Sequence, residues 1–142
     1  MQARVKWVEE ALFMGQSGSG HTVLMDGPPE VGGRNLAARP MEMLLMGLGG
    51  CSTFDVVSIL KKSRQAVESC EVEIRAERAD EEPKVFTRIE LHFIVKGRGL
   101  KDAAVKRAVE LSAEKYCSAS IMMERAGVAV SHGYTLVELS AE

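Results

Sequence analysis

Apolar and polar positions alternate at the start of the chain and predict strands there. Across residues 2–8, three apolar side chains lie on one face and two basic ones on the other: Ala3, Val5 and Trp7 against Arg4 and Lys6. A period of two residues is typical of a half-buried strand. The segments 12–14 and 21–25 flank the Gly- and Ser-rich segment 16–20 and predict a hairpin. A loop with two prolines covers residues 26–38.

The next segment predicts a long helix from Pro40 to about Lys62. A proline suits the first turn of a helix, where its missing N–H has no partner to lose. Apolar residues then occur on nearly every side of the helix, which predicts a central and buried position. Three glycines interrupt this segment and predict close packing or a kink there: Gly47, Gly49 and Gly50.

The second half of the chain returns to alternation. Residues 70–77 and 85–95 have one apolar and one polar face and are joined by the polar link 80–84, which predicts a second hairpin. Residues 101–116 have helical spacing of their apolar positions, with Ser112 counted among them. A further turn or two runs from 118 to 126, and residues 128–139 predict a last strand.

Strands grouped in runs around helices predict an α+β fold with a largely antiparallel sheet and a buried central helix. The length of 142 residues fits a single domain spanning 1–142. A helix that is apolar on most sides needs more cover than one sheet of this size provides. The pattern therefore also predicts a homodimer.

Charge and composition argue against several classes of protein. The net charge is −2 without a basic stripe, which argues against a nucleic-acid partner. Charged residues occupy the start of the chain, where a signal peptide needs an apolar run. No stretch of about 18 residues is expected to be apolar enough to cross a bilayer. We expect a soluble, cytoplasmic protein without a membrane partner.

The three cysteines are the main candidates for chemistry. None lies in a CxxC motif, which fits neither a secreted disulfide framework nor a structural zinc site. Cys51 shares a narrow polar stripe with Asp55 and Ser58 on the long helix, and Cys117 lies near the junction of two helical pieces. Two-cysteine peroxide chemistry needs one thiolate to attack the O–O bond and a second thiol to close a disulfide. The positions of Cys51 and Cys117 in the sequence, taken alone, favour buried and unreactive thiols. Cys70 is expected to be a core residue of a strand.

Two segments resemble the OsmC/Ohr family, the osmotically inducible and organic hydroperoxide resistance proteins. The first is 39–52, RPMEMLLMGLGGCS, which resembles the family helix with the reactive cysteine, opening at a proline 11 residues before it. The second is 113–118, AEKYCS, which resembles the second-cysteine segment. The order of predicted elements also matches, and the segments 93–97 and 111–118 are most similar to the YhfA-like branch.

This resemblance implies an intertwined homodimer with sites at the subunit interface. It implies reduction of organic hydroperoxides, with Cys51 as the peroxidatic and Cys117 as the resolving cysteine. Electrons would come from a dithiol such as protein-bound lipoate, and no metal or nucleotide cofactor would be needed. The protein would then be a cysteine-based peroxidase.

The chain departs from the family's peroxidase branches at two positions. The peroxidase branches have an arginine in the first hairpin loop, and residues 16–21 of this chain contain none. Arg34 and Arg39, in the loop before the helix, are the candidates to replace this arginine, and His21 is a weaker candidate. The glutamate of those branches directly after the proline is Met41 here, and Glu42 is about half a turn out of phase with the cysteine. Glu42 is therefore a supporting candidate whose more ordinary role is to cap the helix.

Two other functions stay open on the sequence. The chain could have kept the fold but bind a small apolar ligand, since several of its eight methionines lie in the helical segments. It could also be a thiol redox sensor in which oxidation of the two cysteines changes a surface for a partner. A ligand binder should tolerate Cys51→Ser, whereas a peroxidase or a sensor should not.

Overall fold

The computed structural model describes residues 1–140, which divide into two compact units. The first unit comprises Met1–Met46 and the second begins at Gly47. The prediction of one domain over the whole chain stays a prediction. The long helix, α1 (Pro40–Lys62), begins in the first unit and continues into the second.

The first unit is built on a three-stranded antiparallel sheet in the order β1-β2-β3. Its strands are β1 (Ala3–Glu9), β2 (Leu12–Ser17) and β3 (Thr22–Met25), which confirms the predicted strand and hairpin. A short 3-10 turn, Pro29–Val31, lies in the loop that follows. The buried carboxylate of Asp26 organises this loop, since it accepts the N–H groups of Gly27, Arg34 and Leu36 at 2.7, 3.3 and 3.1 Å.

The second unit contains the other sheet, with the strand order β4-β5-β6. Strands β4 (Ala66–Arg78) and β5 (Phe86–Arg98) form the predicted antiparallel hairpin, with Val72 opposite Phe93. Strand β6 (Ala129–Glu138) runs parallel to β5, with Leu91 opposite His132. The prediction of a largely antiparallel arrangement in an α+β fold is confirmed, but its single sheet is corrected to two sheets, one of which contains a parallel pair. The reason is the helical crossover between β5 and β6, which carries the chain back before it pairs again.

That crossover has three parts. It consists of α2 (Asp102–Leu111), a π-helical turn over Ser112–Tyr116, and α3 (Ser118–Arg125). The sequence predicted one regular helix over 101–116, and the structure replaces its last part by the wider π turn. Both α2 and α3 contact β6.

The core of the second unit lies between α1, β5 and α2. Its fully or nearly fully buried apolar side chains are Leu48, Val56, Leu60, Ile89, Leu91, Phe93, Val95, Val105, Ala108 and Val109. Gly49 allows close packing of the helix, because a Cβ there would lie 2.8 Å from Ile74 and 3.2 Å from Val72. The predicted close approach at a glycine is confirmed at this position.

The prediction of a central, buried helix is confirmed for only part of α1 in the single chain. Leu44, Met46 and Phe54 are 49%, 53% and 74% exposed. A Cβ added at Gly47 or Gly50 would meet nothing within 4 Å. Within the second unit, α1 thus has a covered face with Leu48, Val56 and Leu60 and an exposed apolar side chain, Phe54.

The length and composition of α1 also correct the expectation about membrane spans. Its most apolar window of 18 residues has a mean hydropathy of 1.7, enough to cross a bilayer by these two criteria. The core helix of a globular protein passes the same test.

Candidate functional site

Two of the three cysteines come together in the second unit, beside one carboxylate. The Sγ atoms of Cys51 and Cys117 and a carboxylate oxygen of Asp55 all lie within 4.8 Å of one another. Cys51 and Asp55 are four residues apart on α1 and therefore share a helix face. Cys117 follows the π turn, 66 residues later in the chain. All three cysteines are free thiols.

The π turn determines where Cys117 lies. Its backbone N–H donates to the carbonyl oxygen of Ser112 at 2.9 Å, five residues back instead of four. Cys117 then leaves the helical conformation and becomes the N-cap of α3. Its Sγ accepts the backbone N–H of Ser120 at 3.4 Å. π turns within helices occur frequently at functional sites because they reorient side chains.

Buried serines connect α1 with this turn. The Oγ of Ser52, the residue after Cys51, lies 3.1 Å from Cys117 Sγ. The hydroxyl of Ser112 lies 3.2 Å from the backbone oxygen of Ser52 and 3.4 Å from Asp55 Oδ2. Having one proton, it can donate to only one of them at a time. These contacts fix the orientation of both Cys117 and Asp55.

The surroundings change the acidity of two groups in the cluster. Burial raises the pKa of the Cys117 thiol, against the opposing effect of hydrogen bonds from Ser52 and Ser120, and the neighbouring Cys51 raises it further. Burial also raises the pKa of the Asp55 carboxyl, and the Ser112 hydroxyl partly opposes this. Cys117 is wholly buried whereas Cys51 is partly exposed. A reagent from solution therefore reaches Cys51 before Cys117. The raised pKa of Cys117 favours its protonated thiol form.

Cys70 lies outside the cluster. It is half-buried on β4 opposite Val95. Burial, with a smaller effect of Glu71, raises the pKa of its thiol to about 11. A thiol of this kind is a poor nucleophile at neutral pH.

The three supporting candidates lie in the first unit, and each has a partner there. Arg34 forms an ion pair with Glu9 at 2.5 Å. Arg39 pairs more loosely with Glu42 at 3.4 Å, and the same carboxylate accepts the Arg39 backbone N–H at 3.1 Å. This last bond is the reciprocal half of a helix capping box, the more ordinary role foreseen for Glu42. An effect of these residues on Cys51 stays a prediction.

Sequence reasoning missed the serines of the site. Ser52 and Ser120 stand next to or near the cysteines in the sequence, but nothing in a local pattern shows that they are buried. Ser112 did leave a signal, since it falls on the apolar face of its predicted helix. A polar residue at a core position needs a hydrogen-bond partner, and here the partners are on α1.

An open groove adjoins the cluster at Asp55. Its volume is about 500 Å³. Its walls are largely apolar, with one lysine at the edge, and consist of Phe54, Asp55, Ser58, Ile59, Lys62, Ser63, Leu111 and Tyr116. Most of these residues come from α1, and the last two come from α2 and the π turn. The groove can hold an organic group beside Asp55.

Comparison with known proteins identifies the family that this chain matches. A family model described as OsmC-like protein matches residues 32–133. Protein YhfA of Escherichia coli K12 is 59% identical over 137 residues, which are 96% of this chain and 98% of that protein.

Solved structures agree with this match. A structural-genomics structure is 57% identical, with a TM-score of 0.88, and the match covers 98% of this chain and 100% of the other. An organic hydroperoxide resistance protein OsmC from Legionella pneumophila is 18% identical, with a TM-score of 0.71, and the match covers 95% and 97% of the two chains. The more distant likeness is one of fold.

Proposed function

The chain belongs to the OsmC family, and we propose that it is a thiol-dependent peroxidase that reduces organic hydroperoxides through Cys51 and Cys117. The observation that carries this proposal is the separation of the two sulfurs, at most 4.8 Å in the reduced protein. A disulfide needs an S–S distance of about 2.05 Å, so modest side-chain movements suffice to close it. Names of distant relatives as organic hydroperoxide resistance proteins support the choice of substrate class.

The proposed reaction begins at Cys51. Its thiolate attacks one oxygen of the hydroperoxide, the O–O bond breaks, and the alcohol leaves with a proton while Cys51 becomes a sulfenic acid. The Cys117 thiol then loses its proton and attacks the Cys51 sulfur. The hydroxyl of the sulfenic acid leaves as water, and a disulfide remains. The difference in exposure between the two cysteines supports this order.

A dithiol of the lipoyl type would reduce the disulfide by thiol–disulfide exchange. Asp55, whose carboxylate oxygen lies within 4.8 Å of both sulfurs, is the candidate to accept the Cys117 proton during closure, through one water or after a side-chain rotation. The apolar groove supports an organic substrate over hydrogen peroxide, since it can hold an organic group beside Asp55, whose carboxylate oxygen lies within 4.8 Å of both sulfurs. No metal or nucleotide is required for these steps.

We also propose that the protein works as an intertwined homodimer in the cytoplasm. The uncovered apolar side chains of α1, with Phe54 74% exposed, support a second copy as their cover. Gly50 supports it too, since its outer side is open to a close neighbour.

The test of the peroxidase proposal is one equivalent of cumene hydroperoxide added to the reduced protein. The intact mass should fall by about two hydrogens, and peptide mapping should join the Cys51 and Cys117 peptides. Cys117→Ser should stop at a sulfenic acid, and Cys51→Ser should not react. Cys70→Ser is the matched control and should react like the wild type. A disulfide that involves Cys70, or full turnover by Cys51→Ser, contradicts the mechanism.

The apolar groove also favours a second candidate, binding of a small apolar ligand without chemistry. Steady-state assays with cumene hydroperoxide and hydrogen peroxide, with lipoamide or dithiothreitol as reductant, separate the two. A ligand binder shows negligible turnover and keeps its affinity for an apolar probe in Cys51→Ser. A peroxidase turns over the organic substrate and loses that turnover in the same variant.

A further inference from the structure

The cluster at the two thiols also has the ligand types of a metal site. Two thiol sulfurs and one carboxylate oxygen, from Cys51, Cys117 and Asp55, lie within 4.8 Å of one another. In a tetrahedral zinc site with bonds of about 2.3 Å to sulfur and 2.0 Å to oxygen, neighbouring ligand atoms lie about 3.5–3.8 Å apart. Movements of about 1 Å, within the reach of side-chain rotation, would bring the three atoms onto one ion.

We propose that the reduced protein binds one thiophilic divalent cation, Zn²⁺ or one like it, through Cys51 Sγ, Cys117 Sγ and an Asp55 carboxylate oxygen. Three protein ligands leave a fourth position for water, which is the arrangement of an open zinc site. Thiolates select soft cations such as Zn²⁺ over Mg²⁺ or Ca²⁺. This proposal departs from the sequence-based expectation that no metal binds, because only the fold brings the three ligands together.

The contacts around the cluster support a built site. The Ser112 hydroxyl lies 3.4 Å from Asp55 Oδ2, and Cys117 Sγ has contacts with Ser52 Oγ at 3.1 Å and the Ser120 N–H at 3.4 Å. Outer groups of this kind orient metal ligands and change affinity by about 10- to 100-fold. They also offset the charge, since two thiolates and a carboxylate carry one negative charge more than the cation neutralises.

Metal binding and disulfide formation exclude one another, because both use the same sulfur electron pairs. Binding to the dithiol releases two protons as the thiols become thiolates. A hydroperoxide that oxidises the metal-bound form takes two electrons from the thiolates and two protons from solvent. The products are the disulfide, an alcohol, water and the free cation. The oxidation state of the cysteine pair would thus control metal binding.

Titration with Co²⁺ in the absence of peroxide tests this proposal directly. Cobalt bound to thiolates gives charge-transfer absorption in the near ultraviolet, and tetrahedral Co²⁺ gives visible d–d bands. We expect one Co²⁺ per chain in the reduced protein, displaced by Zn²⁺, and neither signal in the disulfide form. Cys51→Ser and Cys117→Ser should lose the charge-transfer band of a two-thiolate site. Asp55→Asn should bind at least about tenfold more weakly, as expected for loss of a ligand.

Cys70→Ser is the matched control and should titrate like the wild type. Circular dichroism of each variant checks that lost binding is not lost folding, and Zn²⁺ protection of two thiols from alkylation provides a second measurement. Equal Co²⁺ spectra for wild type and Cys51→Ser, or a spectrum that depends on Cys70, would overturn the proposal. The readout needs no turnover. A protein that binds Co²⁺ but reduces no hydroperoxide refutes the peroxidase and leaves the metal site standing.

Discussion

Ser52 is the residue whose replacement tests the resolving step most sharply. Its hydroxyl lies 3.1 Å from Cys117 Sγ and lowers the pKa of that thiol against the effect of burial. Ser52→Ala removes the hydrogen bond and little volume, so the pKa of Cys117 should rise further. The thiolate that attacks the Cys51 sulfenic acid then becomes scarcer at neutral pH.

The size of the effect follows from one hydrogen bond. A net value of about 0.5–1.5 kcal/mol lowers the thiolate population roughly 2- to 13-fold. A more basic thiolate is a better nucleophile, with a Brønsted coefficient of about 0.4–0.5, which recovers nearly half of this loss on a logarithmic scale. Disulfide closure at neutral pH should therefore be about 1.5- to 4-fold slower in Ser52→Ala.

The assay is a rapid-mixing experiment on the reduced protein with one equivalent of cumene hydroperoxide. Trapping of the sulfenic acid by a dimedone reagent at successive times gives the rate of closure. At a pH well above the thiol pKa both proteins are fully ionised, and the variant should close as fast as the wild type or faster. Ser69→Ala, at an exposed position of β4, is the control for loss of a hydroxyl and should match the wild type. Equal slowing of Ser52→Ala at every pH would refute the reasoning and leave only a packing role.

Three further predictions address other parts of the molecule. Asp26 accepts hydrogen bonds from three N–H groups, which lower the pKa of its carboxyl. Its contribution to stability is therefore present at neutral pH and is lost as the pH falls through that lowered pKa. Asp26→Asn should lower Tm at neutral pH, and the difference in Tm from the wild type should shrink in acid. Arg34→Met or Arg39→Met should slow the alkylation of Cys51 near neutral pH, and unchanged rates in both variants would exclude compensation for the missing hairpin arginine. Light scattering should show a dimer at micromolar concentration that Phe54→Lys weakens; a folded wild-type monomer would contradict the proposed dimer.

Local pattern was enough to place most elements. The period-two alternation placed β1 and the strands of the second hairpin, and the Gly- and Ser-rich turn placed the first hairpin. The proline followed by a largely apolar segment predicted α1 with the bounds found, Pro40–Lys62. These features depend on neighbours within a few residues, which the sequence displays directly. The resemblance of residues 39–52 and 113–118 to the family likewise needed only short segments, and the comparisons confirm the family.

Tertiary structure alone decided how those elements combine. Periodicity is the same for a parallel and an antiparallel strand, so it could not tell that β6 lies parallel to β5 or that the strands form two sheets. Periodicity also could not predict the π turn at Ser112–Tyr116, because no residue type in this segment marks it. The turn directs Cys117 toward α1. The distance between Cys51 and Cys117 depends on packing between segments 66 residues apart. Such contacts form only when the buried faces of α1, α2 and β5 cover one another, and that is a property of the assembled core and not of any segment.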